Sequence, residues 1–506
     1  MTDERPVPGH RATAPDLGAF DHLDAPWGEL SACVVGAGIS GASAARALRE
    51  LGARVVVVDG ADDEHARSRA ADLTAIGATV RLGDDTTLPD GVDVVVTSPG
   101  MRPDAPLFAA AAKAGIPVWG DVELAWRVRP REGAAPWLAI TGTNGKTTTV
   151  RMLASILAAA GLRAEAVGNV GTPVLDAVLA RDERGGQAYD VLALELSSFQ
   201  LHWLSPWQEG SRAPRMRAAA VLNIAPDHLD WHGSSEAYAA DKGRIFAGAE
   251  VACVYNLADP ATEELVREAD VTEGCRAIGF GLGAPGPSGF GVVEDLLVDR
   301  AFVADPRTEA AELAQVADVV PAAPHNVANA LAAAALARAY GVGPEAVREG
   351  LRAFRPDAHR IAHVATVEDV TYIDDSKATN GHAAAASLAA YPSTVWIAGG
   401  LAKGASFDEL VAGARDHLRG VVLLGADRAV IRDALARHAP DVPVSEVDAT
   451  DTGAMDLVVR KAAELARPGD TVLLAPACAS MDMFSNYGAR GDAFAEAVHR
   501  LSGDVS

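Results

Sequence analysis

The chain has 506 residues, 49% hydrophobic and 22% charged, a composition that excludes wholesale disorder and predicts roughly three domains. Its net charge of −24 argues against nucleic acid or an anionic membrane surface as a partner. No apolar run approaches the roughly 20 residues that span a bilayer, and the polar, Pro-rich amino terminus resembles no signal peptide. We therefore expect a cytoplasmic protein without membrane insertion, whose 4 isolated cysteines are reduced thiols.

Residues 1–28 are predicted to be a flexible extension and residues 29–130 a first α/β domain. Apolar strands such as ACVVG and RVVVVD alternate with Ala-rich helical segments, a pattern typical of a parallel, doubly wound, Rossmann-like sheet. A G-x-G-x-x-G turn joins the first strand to the first helix, and Asp59 ends the second strand. This turn fits a dinucleotide, as in an NAD-dependent oxidoreductase, another nucleoside diphosphate, or no ligand at all.

Residues 131–356 are predicted to form a second α/β domain, entered through a linker at 127–136. The segment TGTNGKTTT follows a strand and precedes a helix, the order of a phosphate-binding P-loop, although Ile140 stands where the leading glycine of the general pattern would be. Lys146 is expected to meet the β and γ phosphates, and Thr147 to reach Mg²⁺. The residues predicted to surround ATP are Gly142, Thr143, Asn144, Gly145, Lys146, Thr147 and Thr148.

Two further strand ends carry the side chains that Mg-ATP requires. Glu195 ends the strand in DVLALELSSFQL, and the segment NIAPDHLDWH places His228 between Asp227 and Asp230 after another strand. Carboxylate oxygens are suitable ligands for Mg²⁺. A single loop histidine is more often structural than a ligand, whereas one beside two carboxylates at the carboxyl edge of an ATP-binding sheet is as often a ligand as structural. The Gly/Pro-rich stretch 279–291 is predicted to be a surface loop.

Residues 357–506 are predicted to form a third, Rossmann-like α/β domain. Only six lysines occur among the 44 basic residues, so a retained lysine is a candidate for chemistry that arginine cannot perform. Lys113 and Lys461 lie in ordinary helical stretches, but the other four lie within motifs: Lys146, Lys242, Lys377 and Lys403.

Several motifs occur together in the order found in the Mur ligases, which the chain resembles from about residue 31 to residue 500. They are TGTNGKTTT, ELSSFQL, NIAPDHLDWHGSSEAYAADKGRIF, HNVANALAA, HR, DDSKATN, GGLAKGASF and APACASMDMFSNYGARG. The last three favour the members that add D-glutamate. The resemblance does not cover residues 1–28, 205–216 and 279–291, which look like additions.

The resemblance implies an ATP-dependent ligase that joins D-glutamate to UDP-MurNAc-L-Ala through an acyl phosphate, in cytoplasmic peptidoglycan precursor synthesis. Its implied cofactors are Mg²⁺, two ions expected, and a carbamate on Lys242. The implied metal ligands are Thr147, Glu195, His228 and carbamylated Lys242, and the implied catalytic residues are Lys146, Lys242, His228 and Glu195. Further ATP contacts are implied for Asn326, Arg360 and Asp375, with Arg360 reaching from the third domain, which is expected to close about a hinge at 355–357.

The glycine turn of the first domain then seats a UDP-sugar instead of a dinucleotide. The residues implied in UDP-sugar binding are Gly38, Ile39, Ser40, Asp59, Asn169, Ser197 and Gln200. Those implied in D-glutamate binding are Lys377, Thr379, Lys403, Ser480 and Tyr487, cations and hydroxyls suited to two carboxylates. A sister ligase with another amino acid or acceptor, and a non-catalytic P-loop nucleotide sensor, are the alternatives. We expect a monomer that binds only small molecules.

Overall fold

A computed structural model describes residues 15–356, 358–448 and 453–504, and they fall into two compact units. The first unit comprises Met1–Val319 with Ala328–Phe354, and the second comprises Val320–Val327 with Arg355–Ser506. Each unit combines helices with mainly parallel sheets, so the predicted α/β class is confirmed. The hinge predicted at 355–357 includes Asp357, which lies outside the described residues.

The first sheet, in the first unit, has five parallel strands in the order β3-β2-β1-β4-β5, the doubly wound arrangement predicted from the alternating pattern. Its Val-rich strands are buried because helices cover both faces of such a sheet. Its elements are β1 Ser31–Val35, α1 Ile39–Glu50, β2 Arg54–Asp59, α2 Glu64–Ala75, β3 Thr79–Leu82, β4 Val94–Thr97, α3 Pro106–Ala114, β5 Val118–Gly120 and α4 Asp121–Arg127.

The second sheet, also in the first unit, has nine strands in the order β14-β13-β12-β11-β10-β9-β6-β8-β7. All its pairs are parallel except those of β13 with its two neighbours. Its strands are β6 Trp137–Thr141, β7 Ala164–Gly168, β8 Val191–Glu195, β9 Ala218–Val221, β10 Ala252–Asn256, β11 Arg276–Phe280, β12 Gly289–Val293, β13 Leu296–Asp299 and β14 Ala311–Gln315. The helices along this segment are α5 Lys146–Ala159, α6 Val174–Leu179, α7 Ser198–His202, α8 Leu229–His232, α9 Ser235–Gly243, α10 Pro260–Arg267, α11 Pro324–Tyr340 and α12 Pro344–Ala353.

The third sheet lies in the second unit and has six strands in the order β15-β16-β20-β17-β18-β19, antiparallel only between β15 and β16. Its strands are β15 Ala362–Val367, β16 Val370–Asp374, β17 Thr394–Gly399, β18 Leu418–Leu424, β19 Val444–Glu446 and β20 Thr471–Leu474. Its helices are α13 Gly381–Leu388, α14 Asp408–Ala414, α15 Arg428–His438, α16 Ala454–Leu465 and α17 Tyr487–Asp504. Short 3₁₀ turns complete the described chain at Leu17–Ala19, Trp27–Glu29, Arg244–Phe246, Val316–Asp318 and Arg415–His417.

The described part of the amino-terminal segment is packed, which differs from the flexible extension predicted over 1–28. Phe20 and Trp27 are both 1% exposed, and their rings meet edge to face. Two buried aromatic side chains remove enough apolar area from water to order a short segment. Asp21 forms an ion pair with Arg212, which lies in the 205–216 addition. Two of the three additions in the first unit, 1–28 and 205–216, therefore contact each other. Residues 1–14 lie outside the described residues.

The stretch 279–291 is not a loop throughout, so that prediction was wrong at both ends. Strand β11 continues to Phe280 and β12 begins at Gly289, and the rings of Phe280 and Phe290 are buried. The prediction failed because glycine occurs both in turns and where two backbones come close together. Gly291 is of the second kind, since a Cβ there would lie 2.2 Å from the carbonyl oxygen of Gly283. Within the described ranges, no helix is both long and apolar enough to cross a bilayer.

Candidate active site

The phosphate loop lies between β6 and α5, as predicted. Gly145 precedes α5 with a φ of 84°, and a Cβ there would lie 2.5 Å from the side-chain oxygen of Asn329. Only glycine meets both requirements, a left-handed backbone and a close neighbour. Asn144 is held by Asn223, whose side chain accepts from the Asn144 amide at 2.8 Å and donates to its carbonyl at 3.1 Å.

Two lysines donate to one carbonyl oxygen of this loop. The Nζ of Lys146 lies 2.8 Å from the oxygen of Gly142, and the Nζ of Lys242 lies 2.9 Å from the same atom. Lys242 is 2% exposed, and burial, followed by the charge of Lys146, holds the pKa of its ammonium well below the usual value. The site therefore favours a neutral amine at Lys242.

Glu195 ends β8 with a carboxylate that is 2% exposed. Its Oε1 accepts a hydrogen bond from the side-chain amide of Asn169 at 2.8 Å, whereas its Oε2 is buried without a hydrogen-bond partner. A buried carboxylate oxygen left in this way is a suitable ligand for a hard cation. In the described residues no three His, Cys, Asp or Glu side chains converge as a metal site.

His228 immediately precedes α8 with a φ of 52°, a left-handed conformation that is unfavourable for a side chain with a Cβ. Its ring packs on Phe199 with 4.8 Å between the ring centres, and its Nε2 is 3.6 Å from a carboxylate oxygen of Asp227. Burial lowers the pKa of the imidazole, so the neutral ring that a metal requires is favoured.

The glycine turn of the first sheet is built around close contacts. A Cβ on Gly41 would lie 1.8 Å from the carbonyl oxygen of Gly36, so α1 can approach the turn only with glycine there. Asp59 accepts hydrogen bonds from the amides of Ala37 and Ala61 at 2.6 and 2.8 Å, so its carboxylate braces the turn. Gly38 and Ile39 are exposed and Ser40 half-buried at the start of α1.

Three predicted UDP-sugar residues have structural partners. Asn169 contacts Glu195, as described above. Ser197 and Gln200 form a capping box at the start of α7, and the Gln200 amide also donates to Asp121 at 3.2 Å. The Gln200–Asp121 hydrogen bond therefore connects the first two sheets, since Asp121 begins α4 directly after the last strand of the first sheet.

The predicted D-glutamate residues lie in the second unit, at the carboxyl ends of its central strands and in the segment before α17. Lys377 places its Nζ 4.1 Å from the ring centre of Tyr487, whereas Lys403 is exposed with a φ of 49°. Ser480 is buried and Thr379 half-buried. Lys377 and Tyr487 are thus brought together. Within the described residues, no hydrogen bond, ion pair or ring contact joins Lys403 to them.

The predicted ATP residues of the second unit are only partly connected. Asp375 follows β16 and lies near Arg360, and its carboxylate accepts a hydrogen bond from the Ser387 hydroxyl. Burial raises the pKa of the Asp375 carboxyl to about 6. Asn326 donates to the carbonyl of Pro321 at 3.3 Å.

Sequence reasoning missed four residues that hold these loops. Asn223 and Tyr238 support the phosphate loop, the latter with its hydroxyl 3.0 Å from that of Thr143. The buried Asp121 leaves its Oδ1 unpaired beside Ser40. Arg490, 1% exposed, donates to Ser376 and to the carbonyl of Cys478, joining two loops that carry predicted pocket residues. An arginine within the YGARG motif was the available signal for Arg490.

Comparison with known proteins gives three family matches along the chain. Residues 31–120 match the Mur ligase MurD-like N-terminal domain, 140–337 the Mur ligase middle domain, and 359–478 the Mur ligase glutamate ligase domain. Among solved structures, MurF from Acinetobacter baumannii has a TM-score of 0.55 at 18% identity, covering 87% of this chain and 90% of its own. MurC from Thermotoga maritima has a TM-score of 0.52 at 18% identity, covering 93% and 99%. These two likenesses concern the fold.

Relatives of much higher identity match over nearly their whole length. A protein from Streptomyces avermitilis named UDP-N-acetylmuramoylalanine–D-glutamate ligase is 70% identical, with 94% of this chain and 99% of the relative covered. Proteins of the same name from Thermobifida fusca and Mycolicibacterium smegmatis are 62% and 47% identical, with 93% of this chain covered in each case. The chain therefore belongs to the Mur ligase family.

Proposed function

We propose that this chain adds D-glutamate to UDP-N-acetylmuramoyl-L-alanine with the conversion of ATP to ADP and phosphate. It is an acid–amino-acid ligase of peptidoglycan precursor synthesis. The observation that carries this function is the high identity to D-glutamate ligases over nearly the whole length of both chains. The phosphate loop supports the requirement for ATP, and it argues against the dehydrogenase alternative, which has no need of a second nucleotide fold.

The reaction proceeds in two steps. The alanine carboxylate attacks the γ phosphorus of ATP, ADP leaves, and an acyl phosphate forms; a free carboxylate is too poor an acylating agent at neutral pH. The amine of D-glutamate then attacks the acyl carbon, and phosphate leaves as the amide forms with loss of a proton. Backbone amides of the loop and Lys146 bind the phosphates, and the positive charge of Lys146 stabilises oxygens that gain negative charge.

Mg²⁺ would be held by Thr147, Glu195, His228 and a carbamate on Lys242, with two ions expected. When bound, it neutralises phosphate charge and orients the transferred group. The unpaired Oε2 of Glu195 and the neutral ring favoured at His228 support this ligand set. Asn169 fixes the other carboxylate oxygen, so Glu195 is oriented before a cation arrives.

Lys242 is carbamylated in the active enzyme. A neutral amine attacks CO₂ and a proton is lost, which converts a cation into an anion with two oxygens. The burial that lowers the pKa of Lys242 supports the required neutral form. An unmodified ammonium would repel Mg²⁺ at this position, whereas the carbamate attracts it.

The remaining contacts follow the family motifs. Glycine-turn residues of the first sheet hold the UDP-sugar, Arg360, Asp375 and Asn326 contact ATP, and the lysines and hydroxyls of the second unit hold D-glutamate. Two carboxylates on the amino acid require such cations. We further propose that the enzyme is a cytoplasmic monomer.

Phosphate release by the purified chain tests the function directly. With ATP and UDP-N-acetylmuramoyl-L-alanine present, D-glutamate should release phosphate, whereas L-glutamate, L-alanine and a diamino acid should not. Mass spectrometry should identify the D-glutamyl product. Turnover with one of the other amino acids in place of D-glutamate would favour the sister-ligase alternative, and no turnover with any of them would favour the nucleotide-sensor alternative.

A further inference from the structure

Five polar side chains form a cluster of hydrogen bonds and ion pairs with a buried centre beside the proposed metal site. The Oγ of Ser198 lies 3.0 Å from the Nε2 of His232, and the Nδ1 of His232 lies 2.9 Å from the Oδ2 of Asp241. The Nδ1 of His202 lies 2.9 Å from the same carboxylate oxygen, and Arg244 pairs with the other one. Ser198 and Asp241 are buried, and the His232 side chain is 0% exposed.

Three members of this cluster lie on the segments that carry three of the four proposed ligands, Glu195, His228 and Lys242. Ser198 follows Glu195 by three residues. His232 ends the short helix that His228 precedes, and Asp241 directly precedes Lys242. The hydrogen bonds therefore tie together segments that are far apart in sequence.

We propose that Ser198, His232 and Asp241 are positioning residues that hold Glu195, His228 and Lys242 in register for the metal. The inference rests on the proposed metal site. Groups hydrogen-bonded behind the ligands of a metal commonly fix their orientation. The buried His232 ring cannot rotate, because both of its nitrogens are hydrogen-bonded. This fixes the carboxyl end of α8, and His228 lies at the amino end of the same helix.

The conformation of His228 gives this cluster a specific task. Its φ of 52° is unfavourable and persists only if the surroundings hold it. The ring of Phe199 packs against both histidines, with ring centres 4.8 Å from His228 and 5.6 Å from His232. The His232 ring is stacked on Phe199 and hydrogen-bonded to Ser198 and Asp241. It therefore supports the Phe199 ring, against which His228 packs.

The order Ser–His–Asp and these distances also match a nucleophilic triad. That interpretation fails on access, because Ser198 is 3% exposed and lies in the first turn of α7. A serine that meets no substrate performs no acyl transfer. The geometry therefore favours positioning over catalysis.

The test compares His232→Phe, which keeps the stacked ring and removes both hydrogen bonds, with His232→Gln, which keeps a donor and an acceptor on its terminal amide. Mn²⁺ binding in the presence of a nonhydrolysable ATP analogue is followed by electron paramagnetic resonance, and the Lys242 carbamate by NMR with ¹³C-bicarbonate. We expect His232→Phe to weaken Mn²⁺ binding about 10- to 100-fold and to reduce the carbamate signal, and His232→Gln to restore part of both.

The matched control is Asp299→Asn, which breaks another buried ion pair, with Arg338, on β13 of the same sheet. It should lower thermal stability and leave Mn²⁺ binding at the wild-type level. If His232→Phe does not fold, Ser198→Ala makes the smaller change and should weaken binding in the same direction. Unchanged Mn²⁺ binding in the folded cluster variants would overturn the positioning role. Unchanged binding in Glu195→Gln would instead overturn the metal site itself.

Discussion

At the residue scale, only six of the 44 basic residues are lysines. Lys242 could be selected from the sequence because a chain that prefers arginine kept a lysine there. Its 2% exposure and its shared acceptor on Gly142 could not be predicted, since they depend on segments about a hundred residues apart. Burial supplies a reason for lysine over arginine, because only the amine can be neutral near physiological pH.

We expect Lys242→Ala to be nearly inactive and to regain part of its activity with acetate, which supplies a carboxylate in the vacated space. Lys242→Arg should be inactive as well, because a guanidinium stays charged and cannot be carbamylated. Phosphate release measures both, and Lys113→Arg, on the exposed side of α3, should match the wild type. Substantial activity in Lys242→Arg would mean that the positive charge alone matters.

Lys403 gives a prediction about the D-glutamate pocket. Lys403→Ala removes one charge-assisted contact, worth about 1.5–3 kcal/mol, so KM for D-glutamate should rise roughly ten- to over a hundredfold. KM for ATP should change far less. Lys461→Ala is the control, since that lysine bonds to Ser445 on β19 in the same unit. An unchanged KM for D-glutamate in Lys403→Ala would remove Lys403 from the pocket.

Asp375 predicts a pH-dependent stability. Burial raises the pKa of its carboxyl from 3.8 to about 6, so the folded chain binds a proton that the unfolded chain releases between these values. Its contribution to stability therefore falls as pH rises through that window, by roughly 3 kcal/mol. Asp375→Asn removes this dependence and should gain stability relative to wild type from pH 4 to pH 7.

Pulse proteolysis in urea, with fragments of the third sheet identified by mass spectrometry, measures this difference. Asp433→Asn, an exposed carboxylate of the same unit, is the control and should follow the wild-type profile. A constant difference between Asp375→Asn and wild type across this pH range would contradict the prediction.

At the element scale, strands and glycine turns were the most predictable parts. Val-rich runs became buried strands, and both glycine-containing turns lie between a strand and a helix as expected. The prediction of a loop at 279–291 failed because glycine composition does not distinguish a turn from a strand with a close neighbour. Partners such as Asp121 with Gln200 could not be predicted, since they join elements that are adjacent only after folding.

Gly491 in α17 shows how such packing restricts one residue. A Cβ there would lie 2.1 Å from the Nδ1 of His359 and 2.7 Å from a carboxylate oxygen of Asp374, which bond to each other at 2.6 Å. Gly491→Ala should therefore lower the stability of the second unit by about 1–3 kcal/mol. Gly503→Ala, in the same helix, adds a Cβ that would meet no atom within 4 Å and should be neutral or stabilising.

Thermal unfolding of the two variants measures the contrast. The expected difference comes from the His359–Asp374 pair next to Gly491. In a His359→Ala background much of this crowding is gone, so Gly491→Ala should lower the melting temperature by less. Equal melting temperatures for Gly491→Ala and Gly503→Ala would show that the pair moves aside without cost.

At the scale of the whole molecule, the sequence predicted three α/β segments, whereas the described residues form two compact units. The first two sheets share one apolar core, which runs from Val34 and Trp119 to Trp137 and Leu194. A hydrogen bond from the Ser43 hydroxyl to Asp176 joins the same two parts. Sequence periodicity predicts each sheet, but it contains no information on which sheets share a core.

Calorimetry of the full chain should accordingly show two unfolding transitions. The shared core makes the first two sheets unfold together, because exposing one of them exposes apolar surface of the other. UDP-N-acetylmuramoyl-L-alanine at about 100 times its Kd should stabilise this transition by about 2.7 kcal/mol and leave that of the third sheet unchanged. Fragments from limited proteolysis at intermediate temperature assign each transition to a sheet. A separate transition for residues 31–120 would show that the core between the first two sheets does not couple their unfolding.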